Sequence, residues 1–206
     1  MANRIFIVID GMDGTGKSEI LMMLHNYLFS KDKSFRILTT REPTNSTYGK
    51  EIREILAREK DPKANAEKIL NLFVRDREEH VDKIISPFLK NAEGDEVNIV
   101  LCDRYYYSTI AFQETQGIEL DILIEKNKKF LKPNIAFILD VKPEIALERI
   151  KKREKEKFEQ LEFMNALRDK FLELPKVLDD NIKIIDASEE IGKVFEQIKT
   201  EVDKIL

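Results

Sequence analysis

Residues 11–18 read Gly11-Met12-Asp13-Gly14-Thr15-Gly16-Lys17-Ser18, and this octapeptide holds three of the chain's seven glycines. Before it stands the apolar, β-branched run Ile5-Phe6-Ile7-Val8-Ile9. After it Glu19 to Leu24 continue in a helical pattern. Strand, glycine turn and helix in that order fit G-x-x-x-x-G-K-[ST] in the context that gives the pattern meaning. The glycines let the backbone curl so that successive N–H groups face inward, where they bind phosphate oxygens. A helix starting near Lys17 adds its positive end. Lys17 brings a point charge to the β- and γ-phosphates, and the Ser18 hydroxyl offers a position to Mg²⁺. Gly11 to Ser18 therefore read as a cradle for a nucleoside triphosphate, and they commit the chain to an α/β fold.

The rest of the chain keeps that alternation. Five short runs read as buried strands: Ile5–Asp10, Arg36–Thr40, Asn98–Asp103, Ile135–Asp140 and Ile182–Asp186. They lack strict polar alternation, as strands do in a parallel sheet covered on both faces. Four of them end in aspartate, where such folds place ligands. Helical patterns fill the gaps over Lys17–Phe29, Tyr48–Arg58, Asn65–Leu89, Pro143–Lys152, Phe158–Leu174 and Ser188–Ile205. The expected fold is a single three-layer α/β domain over residues 1–206, with a five-stranded parallel sheet flanked by helices.

Composition narrows the classes. A net charge of −4 gives no basic field for nucleic acid or an anionic membrane. No run is long and apolar enough for a bilayer span or a signal peptide. The single cysteine, Cys102, excludes an internal disulfide framework and points to a reducing, cytoplasmic setting. The phosphate loop alone does not separate switches, motors and small kinases. Asn127-Lys128-Lys129-Phe130 comes nearest to the guanine-reading Asn-Lys-x-Asp of a switch, but it lacks the aspartate and falls in a charged helical stretch.

Further motifs choose among these. Thr40-Arg41-Glu42-Pro43 follows the second strand, and Tyr48 to Arg53 opens the next helix. Leu72-Phe73-x-x-Asp76-Arg77 lies in the long third helix. Cys102-Asp103-Arg104-Tyr105 ends the third strand, followed by Ser108-Thr109-Ile110-Ala111-Phe112-Gln113. In this order the chain resembles the thymidylate kinase family over nearly its whole length. The resemblance implies ATP-dependent phosphorylation of dTMP to dTDP by direct in-line transfer, with ATP and Mg²⁺, and a homodimer. Rival readings are a nucleotide kinase with another acceptor, such as dUMP or a deoxynucleoside, and a nucleotide-binding protein without turnover.

By that resemblance Phe73 stacks on the thymine ring and Arg77 bonds its edge; without it, Phe73 would read as core on an amphipathic helix. Thr109 and Gln113 match positions at the base, and Glu42 lines the acceptor pocket. Asp13 contacts the acceptor 3′-hydroxyl and organises the phosphates. Arg53 and Arg104 bind the acceptor phosphate, and Asp103 belongs to the Mg²⁺ shell with Ser18. A strand-end Asp-Arg pair can also be a plain structural ion pair. Phe112 stands where many relatives carry tyrosine, so the ring stays and the hydroxyl is absent. Thr44-Asn45-Ser46 replaces a frequent Gly-Gly-Thr.

Gly14 occupies the place where one branch of the family carries a catalytic arginine. The missing charge is then expected from a lid at about residues 149–158. Arg149 is expected to pack on adenine and Arg153 to reach the phosphates, with Lys157 replacing a further arginine. The expected catalytic set is Asp13, Lys17, Arg104 and Arg153.

Overall fold

The computed structural model describes residues 4–58, 65–150 and 157–206, with side chains in the last stretch from residue 161 onward. Five strands, β1 (Arg4–Gly11), β2 (Phe35–Arg41), β3 (Val97–Asp103), β4 (Ile135–Asp140) and β5 (Ile182–Asp186), form one parallel sheet in the order β2-β3-β1-β4-β5. The registers pair Ile9 with Asp103 and Gly11 with Leu139, so the strand-end aspartates gather along one edge.

Alternation along β1 divides the core. Ile5, Ile7 and Ile9 face α1 (Lys17–Lys31) and α9 (Ile191–Asp203), meeting Leu24, Leu28, Val194 and Ile198. Phe6 and Val8 face the other way, into a larger core with Tyr107 and Ile110 of α5 (Tyr106–Thr115), Leu123 of α6 (Leu120–Asn127) and Phe171 of α8 (Lys157–Val177). Burial on both faces explains strands that read as unbroken apolar runs. The chain leaves β1 on one face and β3 on the other, which opens a crevice at their carboxyl ends.

The long third helix is interrupted. It runs as α3 (Ala66–His80), passes through a π-helical stretch at Val81–Ile85 and resumes as α4 (Ser86–Lys90). Pro87 gives the reason: it offers no N–H to the Lys83 carbonyl, and its ring would clash there in an α-helix. α9 starts three residues later than expected, because the Asp186 carboxylate accepts both the Ser188 N–H (2.9 Å) and its hydroxyl (2.5 Å) and holds a turn. α8 continues through Pro175 to Val177. α6 ends at Asn127, so Lys128–Phe130 lie in the following turn. α2 (Thr47–Arg58) and α7 (Pro143–Ile150) complete the described helices, and none of these is long and apolar enough to cross a membrane.

Candidate active site

The phosphate loop leaves β1 and enters α1 at Lys17, with Gly16 (φ +91°) at the junction. Lys17 is buried, and its Nζ donates to the Met12 carbonyl at 2.6 Å and lies 3.9 Å from Asp13. Burial, with Arg104 nearby, pulls its pKa from 10.5 down to about 8, against the opposing pull of Asp13. Thr15 is held inward by its own bond to the Met12 carbonyl (2.9 Å). Gly14 has φ +81°, and an added Cβ would lie 2.5 Å from the Ala146 carbonyl of α7. No side chain fits there, so this backbone path rules out a loop arginine at position 14.

Two cavities meet beside this loop. One is lined by Gly14, Gly16, Lys17, Ser18, Glu19 and Asp103. The other, of about 340 Å³, is walled by Phe73, Phe112, Leu167 and Phe171, with Glu42, Arg53, Arg77, Ser108 and Gln113 among its polar groups. Asp13, Arg41 and Arg104 line both. Arg104 makes the junction. Its Nη1 donates to the Gly11 carbonyl (2.9 Å) and the Ser108 hydroxyl (2.8 Å), and its Nη2 pairs with Asp13 at 2.5 Å. Asp103 beside it carries one buried carboxylate oxygen that no described group satisfies. Burial raises its pKa, and the charges of Lys17 and Arg104 only partly oppose that.

The second cavity has a rigid floor. Arg77 is completely buried and lies between the rings of Tyr105 and Phe130, 5.2 and 5.5 Å away. Its Nε donates to Glu42 (2.8 Å), Nη1 to Asn127 (2.6 Å) and Nη2 to Thr109 (2.9 Å). Glu42 turns its other oxygen to His80 Nδ1 (3.0 Å), whose Nε2 meets Thr40 at 2.7 Å. Thr109 thus stands behind Arg77 and is not among the residues lining the cavity. Gln113 does line it, and its buried Oε1 has no described partner. Phe73 is half-buried, lines the cavity and belongs to neither apolar core. Arg53 reaches in with its guanidinium donating to the carbonyls of Pro43 (2.5 Å) and Gly49 (3.0 Å).

A cavity with aromatic walls, buried polar groups at its floor and cations at its mouth suits a flat heterocycle bearing a phosphate. The model for thymidylate kinase matches residues 9–198. The chain belongs to the thymidylate kinase family. It is 34% identical to the "Probable thymidylate kinase" of Thermococcus kodakarensis over 98% of both chains. Against the protein of the same name from Archaeoglobus fulgidus the identity is 35%, over 98% of this chain and 94% of the relative. The "Thymidylate kinase" of Caldicellulosiruptor saccharolyticus is 33% identical over 98% and 97%.

Most of the residues singled out in the sequence therefore gather at one crevice, with Thr109 standing behind it and two further exceptions. Arg149 donates to the carbonyls of Ala187 (3.0 Å) and Gly14 (3.4 Å), bridging the loop after β5 and the phosphate loop. Arg153, the Lys157 side chain and most of the expected lid lie outside the described residues. Sequence reasoning also passed over several groups. Arg41 lines both cavities, although its Arg-Glu-Pro motif was in view. Asp76 accepts the Thr44 N–H (2.7 Å) and the hydroxyls of Thr44 (2.5 Å) and Ser46 (2.6 Å). Thr44 and Ser46 thus supply two hydroxyls that anchor the loop before α2, and of these only that of Thr44 is added relative to Gly-Gly-Thr. Gly49 must follow, because a Cβ there would lie 2.0 Å from the Thr44 carbonyl.

Proposed function

We propose a division of labour for the family's reaction in this chain, the ATP-dependent phosphorylation of dTMP to dTDP. The observation that carries it is the meeting of the phosphate-loop cavity and the aromatic cavity at Asp13, Arg41 and Arg104. ATP lies with its phosphates along Gly11, Met12, Asp13, Gly14, Thr15, Gly16, Lys17 and Ser18, and Arg149 packs at the adenine end. The dTMP base lies against Phe73, with Arg77 and Gln113 at its edge, and Phe112 closes the sugar side. Glu42 acts by fixing Arg77, and Thr109 by accepting from it.

The acceptor phosphate is already a nucleophile, so in-line transfer needs position and charge, with no covalent enzyme intermediate. Arg53 and Arg104 hold the acceptor phosphate, Lys17 holds the donor, and Asp13 orients the acceptor sugar and the phosphates. Ser18 and Asp103 fit a Mg²⁺ ion, since both line the same cavity and Asp103 has carboxylate capacity left unsatisfied. When bound, Mg²⁺ neutralises charge on the transferring group. Gly14 leaves the remaining positive charge to the segment after α7, where Arg153 is our choice. Homodimer assembly and a cytoplasmic location belong to the same reading, the latter on the strength of the buried Cys102.

A coupled assay with ATP, Mg²⁺ and a panel of nucleoside monophosphates and nucleosides tests this reading. The highest kcat/KM is expected for dTMP. A preference for dUMP or a nucleoside would move the substrate, and binding of both ligands without dTDP would remove the catalytic reading. Phe73→Ala is expected to weaken dTMP binding roughly 10- to 100-fold, from lost stacking of about 1–3 kcal/mol, with the KM for ATP nearly unchanged. Calorimetric titration with dTMP checks it, and unaltered affinity would return Phe73 to a packing role.

A further inference from the structure

Arg104 adopts φ +67°, a left-handed conformation that costs an L-residue about 1–2 kcal/mol. Such a conformation persists only when its surroundings dictate it. Here the backbone is gripped at both ends. The Arg104 N–H donates to the Ile9 carbonyl (2.9 Å), and the Cys102 thiol donates to the Arg104 carbonyl (3.0 Å). The side chain is governed from a different place, the carboxylate of Asp10, which is fully buried at the end of β1.

Asp10 Oδ1 accepts the Gly11 N–H (2.7 Å) and the Ser108 hydroxyl (2.5 Å). Its Oδ2 accepts the N–H groups of Tyr105 and Ser108, both at 3.0 Å. The two Oδ2 bonds satisfy donors at the start of α5 that the helix itself leaves open. The carboxylate thus joins the phosphate loop to the helix behind Arg104. Ser108 has one hydroxyl proton, and Arg104 accepts none. The proton must therefore go to Asp10, and the oxygen lone pair faces Arg104 Nη1 at 2.8 Å. The direction of every bond in this chain is fixed, and each one polarises the next.

We propose that Ser108 and Asp10 are positioning residues for the acceptor phosphate, acting through Arg104. Their bonds set the plane of the guanidinium so that Nη1 is held at the phosphate loop and Nη2 is presented at the junction of the two cavities. The inference rests on Arg104 being the clamp for that phosphate.

The test is a double-mutant cycle with Ser108→Ala and Arg104→Ala, following dTMP affinity by calorimetry and the KM for each substrate. Ser108→Ala removes one atom from a helix and leaves Asp10 three of its four bonds, so the fold stands. It is expected to lower kcat/KM for dTMP about 10- to 100-fold, the range for a hydrogen bond to a charged group, with the KM for ATP within about twofold. In the Arg104→Ala background it is expected to change nothing further. Wild-type kcat/KM in Ser108→Ala, equal losses toward ATP and dTMP, or additive losses in the double variant would each overturn the proposal. The same cycle with Asp10→Asn reads the coupling a second time, and additivity there counts against it equally. Arg104→Ala with wild-type dTMP affinity would instead remove the underlying reading of Arg104.

Discussion

Replacing Lys17 with methionine is expected to raise the melting temperature of the ligand-free protein while removing its turnover. The ammonium is buried against the phosphate loop, and its pKa falls from 10.5 to about 8, chiefly through burial. Each tenfold change in proton affinity is worth about 1.4 kcal/mol. Holding that charge in the empty site therefore costs about 3 kcal/mol. Methionine occupies similar volume without charge. The Met12 carbonyl loses its bond from Lys17 but keeps the one from Thr15. A net gain of about 2 kcal/mol is expected, or roughly 4–8 °C for a chain of this length. Turnover should fall by a factor on the order of 10³, the scale for losing one preorganised group that stabilises transition-state charge.

The pH dependence carries a second signature. Between about pH 8 and 10.5 the folded protein has released the Lys17 proton while the unfolded chain still holds it. The unfolded state then binds more protons, and this group's contribution to stability rises with pH across that window. Lys17→Met should lack that rise, and ATP should lose affinity for the wild-type protein as pH passes 8. Denaturant titrations at pH 7 and 9.5, with and without ATP, measure all of this. A less stable Lys17→Met protein at pH 7 would show that the buried charge carries no cost.

How far such a site can be read from sequence depends on how local its chemistry is. The phosphate loop was legible because strand, glycines, lysine and serine fall within eight consecutive positions. β1, β3 and β4 were legible because both faces are buried, and the edge strands β2 and β5, which are only partly buried, because of their β-branched runs. α5 left no periodic signal, since Tyr106, Tyr107, Ile110, Ala111 and Gln113 are buried around most of its circumference. The groups that orient the site are connected across distances that no pattern records: Asp10 to Ser108, Asp76 to Thr44 and Glu42 to His80. Arg149 illustrates the same gap. The resemblance assigns it to the adenine, but only the tertiary fold reveals its guanidinium spanning Gly14 and Ala187. Gly14 reads as a missing arginine in the sequence and as a space filled by the Ala146 backbone in the structure.

Arg77→Met is expected to be strongly destabilising. Arg77 and Glu42 are both almost completely buried, and their charges face each other at 2.8 Å. Removing one partner leaves the other as a buried, uncompensated charge, at a cost of about 3–5 kcal/mol. For this chain that is on the order of 10 °C. Glu42→Met should cost a similar amount, because Arg77 then keeps only the neutral acceptors Asn127 and Thr109 and the faces of two rings. The double variant Glu42→Met/Arg77→Met removes both charges and puts apolar volume between Tyr105 and Phe130. It is expected to be clearly more stable than the sum of the single losses predicts. Its dTMP affinity should remain as poor as that of Arg77→Met, about 10- to 100-fold below wild type, since the group at the base edge is gone. Denaturant unfolding of the four proteins together with dTMP calorimetry separates the two effects. Recovered stability with no recovered affinity would mean that the ion pair serves recognition more than folding. Wild-type dTMP affinity in Arg77→Met would detach Arg77 from the base altogether.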